Sequence, residues 1–205
     1  MQNQDHRTAM DYSKQEKDVE EYIRGLFMFP SNPKLPYHNL EHTVRVVGHA
    51  REIGDYYLLQ YPDQFIITIA AWFHDIGQLS GPMEGHEERG AQLMKDYFAG
   101  TPLSEGIIPA ITACILATQF PSHPRTLPEK ILCDADTYHF GTEYFRQTDG
   151  AVRKEFELRT GTTFPHWRQK TIHFLQTHHY FTSYCQQLLD AGKQQNIQWL
   201  LSLPD

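Results

Sequence analysis

The chain has 205 residues, 40% of them hydrophobic and 21% charged, with a formal net charge of −7. This is the length of one globular domain with a full core, and the acidic balance argues against a general nucleic-acid binder, which needs a basic face. No apolar run approaches the ~20 residues of a membrane span, and no N-terminal stretch reads as a signal peptide; a cytoplasmic protein without a membrane partner is expected. The three cysteines (Cys114, Cys133 and Cys185) are odd in number and lack CxxC spacing, so they read as small buried hydrophobes. The negative charge still leaves room for a small anionic substrate, because a bound metal ion supplies local positive charge.

Residues 1–10 are polar and read as a flexible N-terminus, with a single domain over 11–205. From Ser13 to Phe29 the spacing of Val19, Tyr22-Ile23 and Leu26-Phe27 predicts a helix. A stiff proline loop, Pro30 to Pro36, ends it and delivers Tyr37-His38 to a second helix, about Asn39 to Leu59. Its core stripe is Leu40, Val44, Val47 and Ile53, with His42, Val46 and His49 on an adjoining face. Pro62-Asp63 opens a third helix that is apolar all round, which places it at the centre of a bundle. Gly77 and Gly81-Pro82 close it, and Gln78–Gly85 is a loop.

His86 to Phe98 reads as an amphipathic helix, followed by an Ile-rich helix ending near Thr118. In the latter, Pro109 marks either the first turn or a kink. Gln119–Pro128 is a loop and Glu129–His139 a short helix. Two or three more helices are expected, at about 142–159, 166–179 and 182–203. Nothing alternates with period two. The fold class is therefore all-α, a bundle of about eight to nine helices.

His74-Asp75 closes the apolar run from Phe65 to Phe73. Burying an ionised group there alone costs several kcal/mol, on the order of what a divalent cation would offset. Imidazole and carboxylate are usual ligands of such a cation. Two further sources of donors flank the pair: Tyr37 to His42 upstream and Asp134-Ala135-Asp136 downstream. A lone helical histidine is more often a core or surface residue, but the ordered set points to a metal site between the central helices. Adjacent helical residues diverge by ~100°, so His74 and Asp75 reach one ion only near a helix end, where Gly77 is consistent with one.

The ordered set His42, His74-Asp75, Asp136 resembles the HD superfamily of metal-dependent phosphohydrolases, which are all-helical. Leu132 to Asp136 is similar to the family's "DAD" segment, whose second aspartate is the usual ligand. The resemblance thus implies His42, His74, Asp75 and Asp136 as ligands, with Asp134 as a supporting or capping residue. Tyr37-His38-Asn39-x-x-His42 is similar to the cyclic-nucleotide phosphodiesterase segment in which the first histidine is the general acid. Glu87 to Ala91 resembles the "EExSA" segment of small bacterial HD phosphohydrolases. The likeness spans roughly residues 36–200 and departs from the family twice. Gln78 stands where some nucleotidases carry a catalytic glutamate, and His86 where the small bacterial group has asparagine.

The resemblance implies hydrolysis of a small phosphorylated substrate, a nucleotide or related metabolite. A divalent cation (Mn, Fe, Zn or Mg) would activate the attacking water, with a transition metal favoured by mixed N/O ligation. Asp75 would also orient that water, and His38 would protonate the leaving oxygen. Glu87 is either support for a ligand histidine or a solvated first-turn acid. His86 is either a surface neighbour of a helix cap or, with His123, a ligand for a second ion. Arg168 and Lys170 could hold phosphate or be plain surface residues. Two other readings compete: an HD-type diiron oxygenase, and a non-catalytic metal-stabilised module that binds a nucleotide or a partner.

Overall fold

The computed structural model describes residues 11–28, 33–103 and 105–204. Residues 1–10 and the start of the proline loop, Pro30 to Asn32, lie outside it. Nine α-helices and no strand occur among the described residues: α1 (Tyr12–Met28), α2 (Leu40–Tyr56), α3 (Asp63–Phe73), α4 (His86–Tyr97), α5 (Ile107–Ala117), α6 (Leu127–Asp136), α7 (Phe145–Thr160), α8 (Trp167–Thr177) and α9 (Ser183–Ser202). Short 3-10 turns at Ile76–Leu79 and Tyr138–Gly141 follow α3 and α6. The fold is all-α, as the periodicity predicts.

Every residue from Phe65 to Phe73 is buried, and α3 packs against α1, α2, α5 and α6. A helix without a polar face has no stable place except the centre. Each large side chain it buries contributes about 1.5–3 kcal/mol. Among the residues expected in the α2 core stripe, Val47 and Ile53 are fully enclosed, while Leu40 and Val44 pack at its margin. None of the described helices is long and apolar enough to cross a membrane.

Several boundaries differ from the sequence reading for local reasons. The loop after α3 is shorter than expected, because a 3-10 turn carries helical structure to Leu79. Helix α6 begins at Leu127 rather than Glu129. Thr126 and Glu129 form a reciprocal capping box, and Pro128 sits in the first turn, where a missing N–H costs nothing. Pro109 likewise lies in the first turn of α5 and does not interrupt it. The segment to His139 is not one helix: α6 ends at Asp136 and a separate 3-10 turn follows.

Two glycine contacts fix the relative placement of elements. A Cβ on Gly77 would lie 2.0 Å from the His86 carbonyl oxygen, and one on Gly90 would lie 2.5 Å from that of Phe73. The start of α4 is thereby pressed against the end of α3. A Cβ on Gly192 would meet the Gly141 carbonyl oxygen at 2.0 Å, which seats α9 on the second 3-10 turn. The three cysteines are buried and unpaired.

Candidate metal centre

Tyr37-His38-Asn39 forms a rigid approach to α2. The Asn39 side chain accepts from the His42 amide at 3.1 Å and donates to the Pro36 carbonyl at 2.9 Å. This is N-cap chemistry. It starts α2 so that His42 lies in its first turn, facing inward and buried.

His74 follows the last residue of α3 and keeps helical angles (φ −55°, ψ −41°). The chain leaves the α-helix at Asp75 (φ −107°, ψ 0°). That change of backbone direction brings two adjacent side chains to one point. Asp136, the last residue of α6, approaches from the other side.

One donor atom from each of His42, His74, Asp75 and Asp136 lies within 4.8 Å of the others. Asp75 Oδ2 is 3.1 Å from Nε2 of both His42 and His74. Asp136 Oδ1 is 3.2 Å from His42 Nε2 and 3.6 Å from His74 Nε2. His74 Nδ1 donates to the Ala71 carbonyl at 2.7 Å, which puts its proton on Nδ1 and turns the Nε2 lone pair toward the cluster.

The chemistry of this donor set fits a cation. Asp75 Oδ2 is buried and receives no hydrogen bond, although two ring nitrogens are near. The two Nε2 atoms face each other at 3.4 Å. Lone pairs converging on an orphaned carboxylate oxygen are satisfied by a positive ion at their common centre. The field of the site agrees. Burial opposes an imidazolium at His74 and His42, yet Asp75 and Asp136 raise both. Burial likewise opposes charge on the two carboxyl groups, yet the histidines hold both below the ordinary range.

His38 stands beside the cluster, its Nε2 3.8 Å from Asp75 Oδ2. Its Nδ1 is bound to Glu155 Oε1 at 2.5 Å. Glu155 Oε2 accepts the Tyr37 and His38 amides, each at 3.0 Å. Burial works against the Glu155 charge, but these hydrogen bonds, led by His38, hold its carboxyl below the usual range. Arg159, one turn on, reaches the Gln78 side-chain oxygen and the Gly81 carbonyl and lies 3.7 Å from Glu155. Sequence reasoning missed both Glu155 and Arg159. They share a polar helix with an ordinary i,i+4 charge spacing, and Glu155 lies 117 residues from His38.

The surface reading of His86 is overturned. It is the first residue of α4 beside the N-cap Gly85, and its Nε2 sits 3.2 Å from Asp75 Oδ1. The close approach of α4 to Gly77 carries it inward. Its Nδ1 donates to the Met83 carbonyl at 2.9 Å. Glu87 is buried, not a solvated acid, with Oε2 3.3 Å from His86 Nδ1. His123 is exposed in the loop before α6 and lines the same cavity, but neither it nor His86 belongs to the four-donor cluster. Asp134 faces away from that cluster. It accepts the Phe181 and Thr182 amides at 2.8 Å and the Thr182 hydroxyl at 2.6 Å, so it caps the approach to α9. Of the two late cations, Arg168 binds the Leu203 and Pro204 carbonyls, whereas Lys170 lines the cavity.

The metal centre opens into a cavity of ≈ 1190 Å³ whose far wall is built by α7 and α8. This exceeds the ~300–1,000 Å³ usual for a small-molecule site, and of the four donor residues Asp136 lines it.

Residues 39–141, just over half of the chain, match the HD domain family. The fold and its four-donor site therefore define an HD-domain protein, and the chain belongs to that family. The whole fold is similar to two solved structures. One is a predicted HD superfamily hydrolase from an uncultured Thermotogales bacterium, 19% identical with a TM-score of 0.59, covering 90% of this chain and 88% of that one. The other is Bacillus subtilis YpgQ in complex with ADP, 16% identical with a TM-score of 0.62, covering 94% of each chain. At these identities the likeness is one of fold. No curated protein matches the chain.

Proposed function

We propose that the protein is a metal-dependent phosphohydrolase acting on a small phosphoester, a nucleotide or related metabolite. The observation that carries this reading is the orphaned Asp75 Oδ2, ringed by three further donor groups with His38 Nε2 at 3.8 Å. His42, His74, Asp75 and Asp136 would hold a divalent transition metal, which mixed nitrogen and oxygen ligation favours. When bound, such an ion supplies Lewis-acid charge neutralisation at phosphorus and lowers the pKa of a coordinated water.

The chain's own residues supply the rest. Glu155 fixes His38 with its Nδ1–H toward the carboxylate, which aims Nε2 into the cavity. His38 Nε2 then gives its proton to the departing oxygen, a contribution of roughly 10²–10⁴ in rate. Asp75 orients the attacking water, and Glu87 steadies His86 beside it. Arg159 ties α7 to Gln78, which fills the position where some family nucleotidases carry glutamate. The ADP bound to YpgQ lends support to a nucleotide.

The test is metal content by elemental analysis together with turnover of a phosphoester panel. Wild-type protein should carry about one equivalent of transition metal and hydrolyse a nucleotide. Asp75→Ala should lose both, and His38→Ala should lose turnover while keeping the metal. Turnover unchanged in His38→Ala would overturn the mechanism, and no metal after reconstitution would overturn the site. The 3.2 Å approach of His86 to Asp75 Oδ1 favours one second reading, a two-ion oxygenase. Two equivalents of iron with oxygen uptake would establish it instead.

A further inference from the structure

Helix α7 presents Phe145, Asp149, Val152 and Phe156 to the cavity at i, i+4, i+7 and i+11, and α8 answers with Trp167, Lys170, Thr171 and Phe174. These are two helical stripes facing one another. Half of these eight residues are aromatic, with Phe156 and Trp167 edge to face at 5.7 Å. Two carboxylates of α7 line the cavity, Glu155, already bound to His38, and Asp149. Asp149 Oδ1 accepts both Trp167 Nε1 at 2.8 Å and Thr171 Oγ1 at 3.1 Å. Two donors from α8 thus lock the side chain, while Oδ2 accepts no hydrogen bond from any described residue.

A rigid carboxylate oxygen against aromatic walls is costly to cover with an apolar ligand, because a desolvated acceptor then has no donor. An organic cation would satisfy it, but Lys170 lies on the same stripe, with Nζ 5.7 Å above the Phe164 ring, and repels one. A neutral, flat group with an N–H donor meets both conditions: it stacks on the rings and donates to Oδ2. Along α7, Asp149 precedes Glu155, the anchor of the proton donor, by about 9 Å of helix rise. A ribose with its base spans that interval.

We infer that Asp149 is a specificity-determining residue that accepts a hydrogen bond from the exocyclic amino group of a nucleobase held between α7 and α8. The inference rests on the nucleotide reading above and narrows it to amino-bearing bases. Asp149→Asn keeps an acceptor for Trp167 and Thr171 but turns an amide donor toward the base.

The experiment is calorimetric binding of five nucleosides to wild-type and Asp149→Asn protein. Adenosine, guanosine and cytidine carry the amino group; purine riboside has no base N–H at all, and uridine has only its ring imide N–H, which separates an amino donor from any N–H. At least one amino nucleoside should bind the wild type and lose roughly tenfold more affinity in the variant than the amino-free pair, as expected for one hydrogen bond to a charged group. Equal losses for all five would reduce Asp149 to a brace for Trp167 and overturn the inference. So would no loss, or no binding of any amino nucleoside to the wild type. Because nucleosides contain no phosphoester, these outcomes do not depend on hydrolysis. Absent turnover with amino-selective binding would overturn the phosphohydrolase reading alone, and turnover without that selectivity would overturn this inference alone.

Discussion

The helices that bring the metal donors together and the helices that face them across the cavity are held by different forces. Helices α2, α3 and α6 are fixed by apolar packing: α3 is buried over nine consecutive residues, and α6 buries five of its own side by side from Ile131 to Ala135. By contrast α7 buries only Phe145, Thr148 and Glu155, and α8 only Leu175. They share a small apolar cluster with α9 through Phe145, Leu175, Ile197 and Leu200, and α7 reaches the metal half through polar ties, Glu155 to Tyr37 and His38 and Arg159 to Gln78 and Gly81. Ion affinity should therefore follow core packing, while proton delivery should follow a few hydrogen bonds that can be removed without unfolding.

Removing a donor from the packed half sharpens this contrast most. Asp136→Asn should abolish metal retention and turnover together while circular dichroism stays helical, with elemental analysis as the check. Next is the polar half. Glu155→Gln should keep the metal and lower kcat roughly tenfold to a hundredfold, part of what a general acid supplies. Equal turnover in that variant would break the division.

The same residue gives a pH signature. Its folded-state pKa is depressed from the ordinary value of 4.5 by the His38 contact, against the opposing effect of burial. The stability it contributes is therefore fully present above 4.5 and lost as pH falls through the lower folded value. Urea unfolding should show the wild type losing more stability than Glu155→Gln across that acid window.

A smaller effect is expected where α4 meets α3. Gly77→Ala should cost about 1–3 kcal/mol, because the new methyl group would overlap the His86 carbonyl; thermal unfolding measures it. Least affected are the thiols. Burial pushes all three up, Cys185 to about 12. None should react with a thiol reagent at neutral pH in the folded protein.

Of the four proposed ligands, His74 and Asp75 were legible because their chemistry conflicts with their surroundings, and His42 and Asp136 through the ordered set and the family resemblance it carries. A histidine and a carboxylate at the end of Phe65–Phe73 demand an explanation that a surface pair does not. The Tyr37-to-His42 segment was legible through the proline loop that delivers it to α2 and through its likeness to a phosphodiesterase segment, whereas the Asn39 cap emerged only in the structure. Glu155, Arg159 and Asp149 were not, since each sits on a polar helix where solvation explains it equally well, and only tertiary packing turns them inward. His86 failed differently. Its position at a helix start suggested solvent, and the depth of α4 was set by Gly77 and Gly90, whose role depends on a contact between segments. The family match ends at Gly141, so the stretch carrying all three unread residues lies outside the part of the chain where the family pattern is strongest.

Asp134 and Asp136 sit on opposite sides of the last turn of α6, one holding the amides of Phe181 and Thr182, the other facing the four-donor cluster. The two carboxylates share one turn of α6, so a shift at Asp136 should reach the clasp on α9. Those two amide protons are consequently a built-in gauge: their exchange with deuterium should slow as the site fills, which makes the C-terminal helix a reporter of occupancy that needs no substrate.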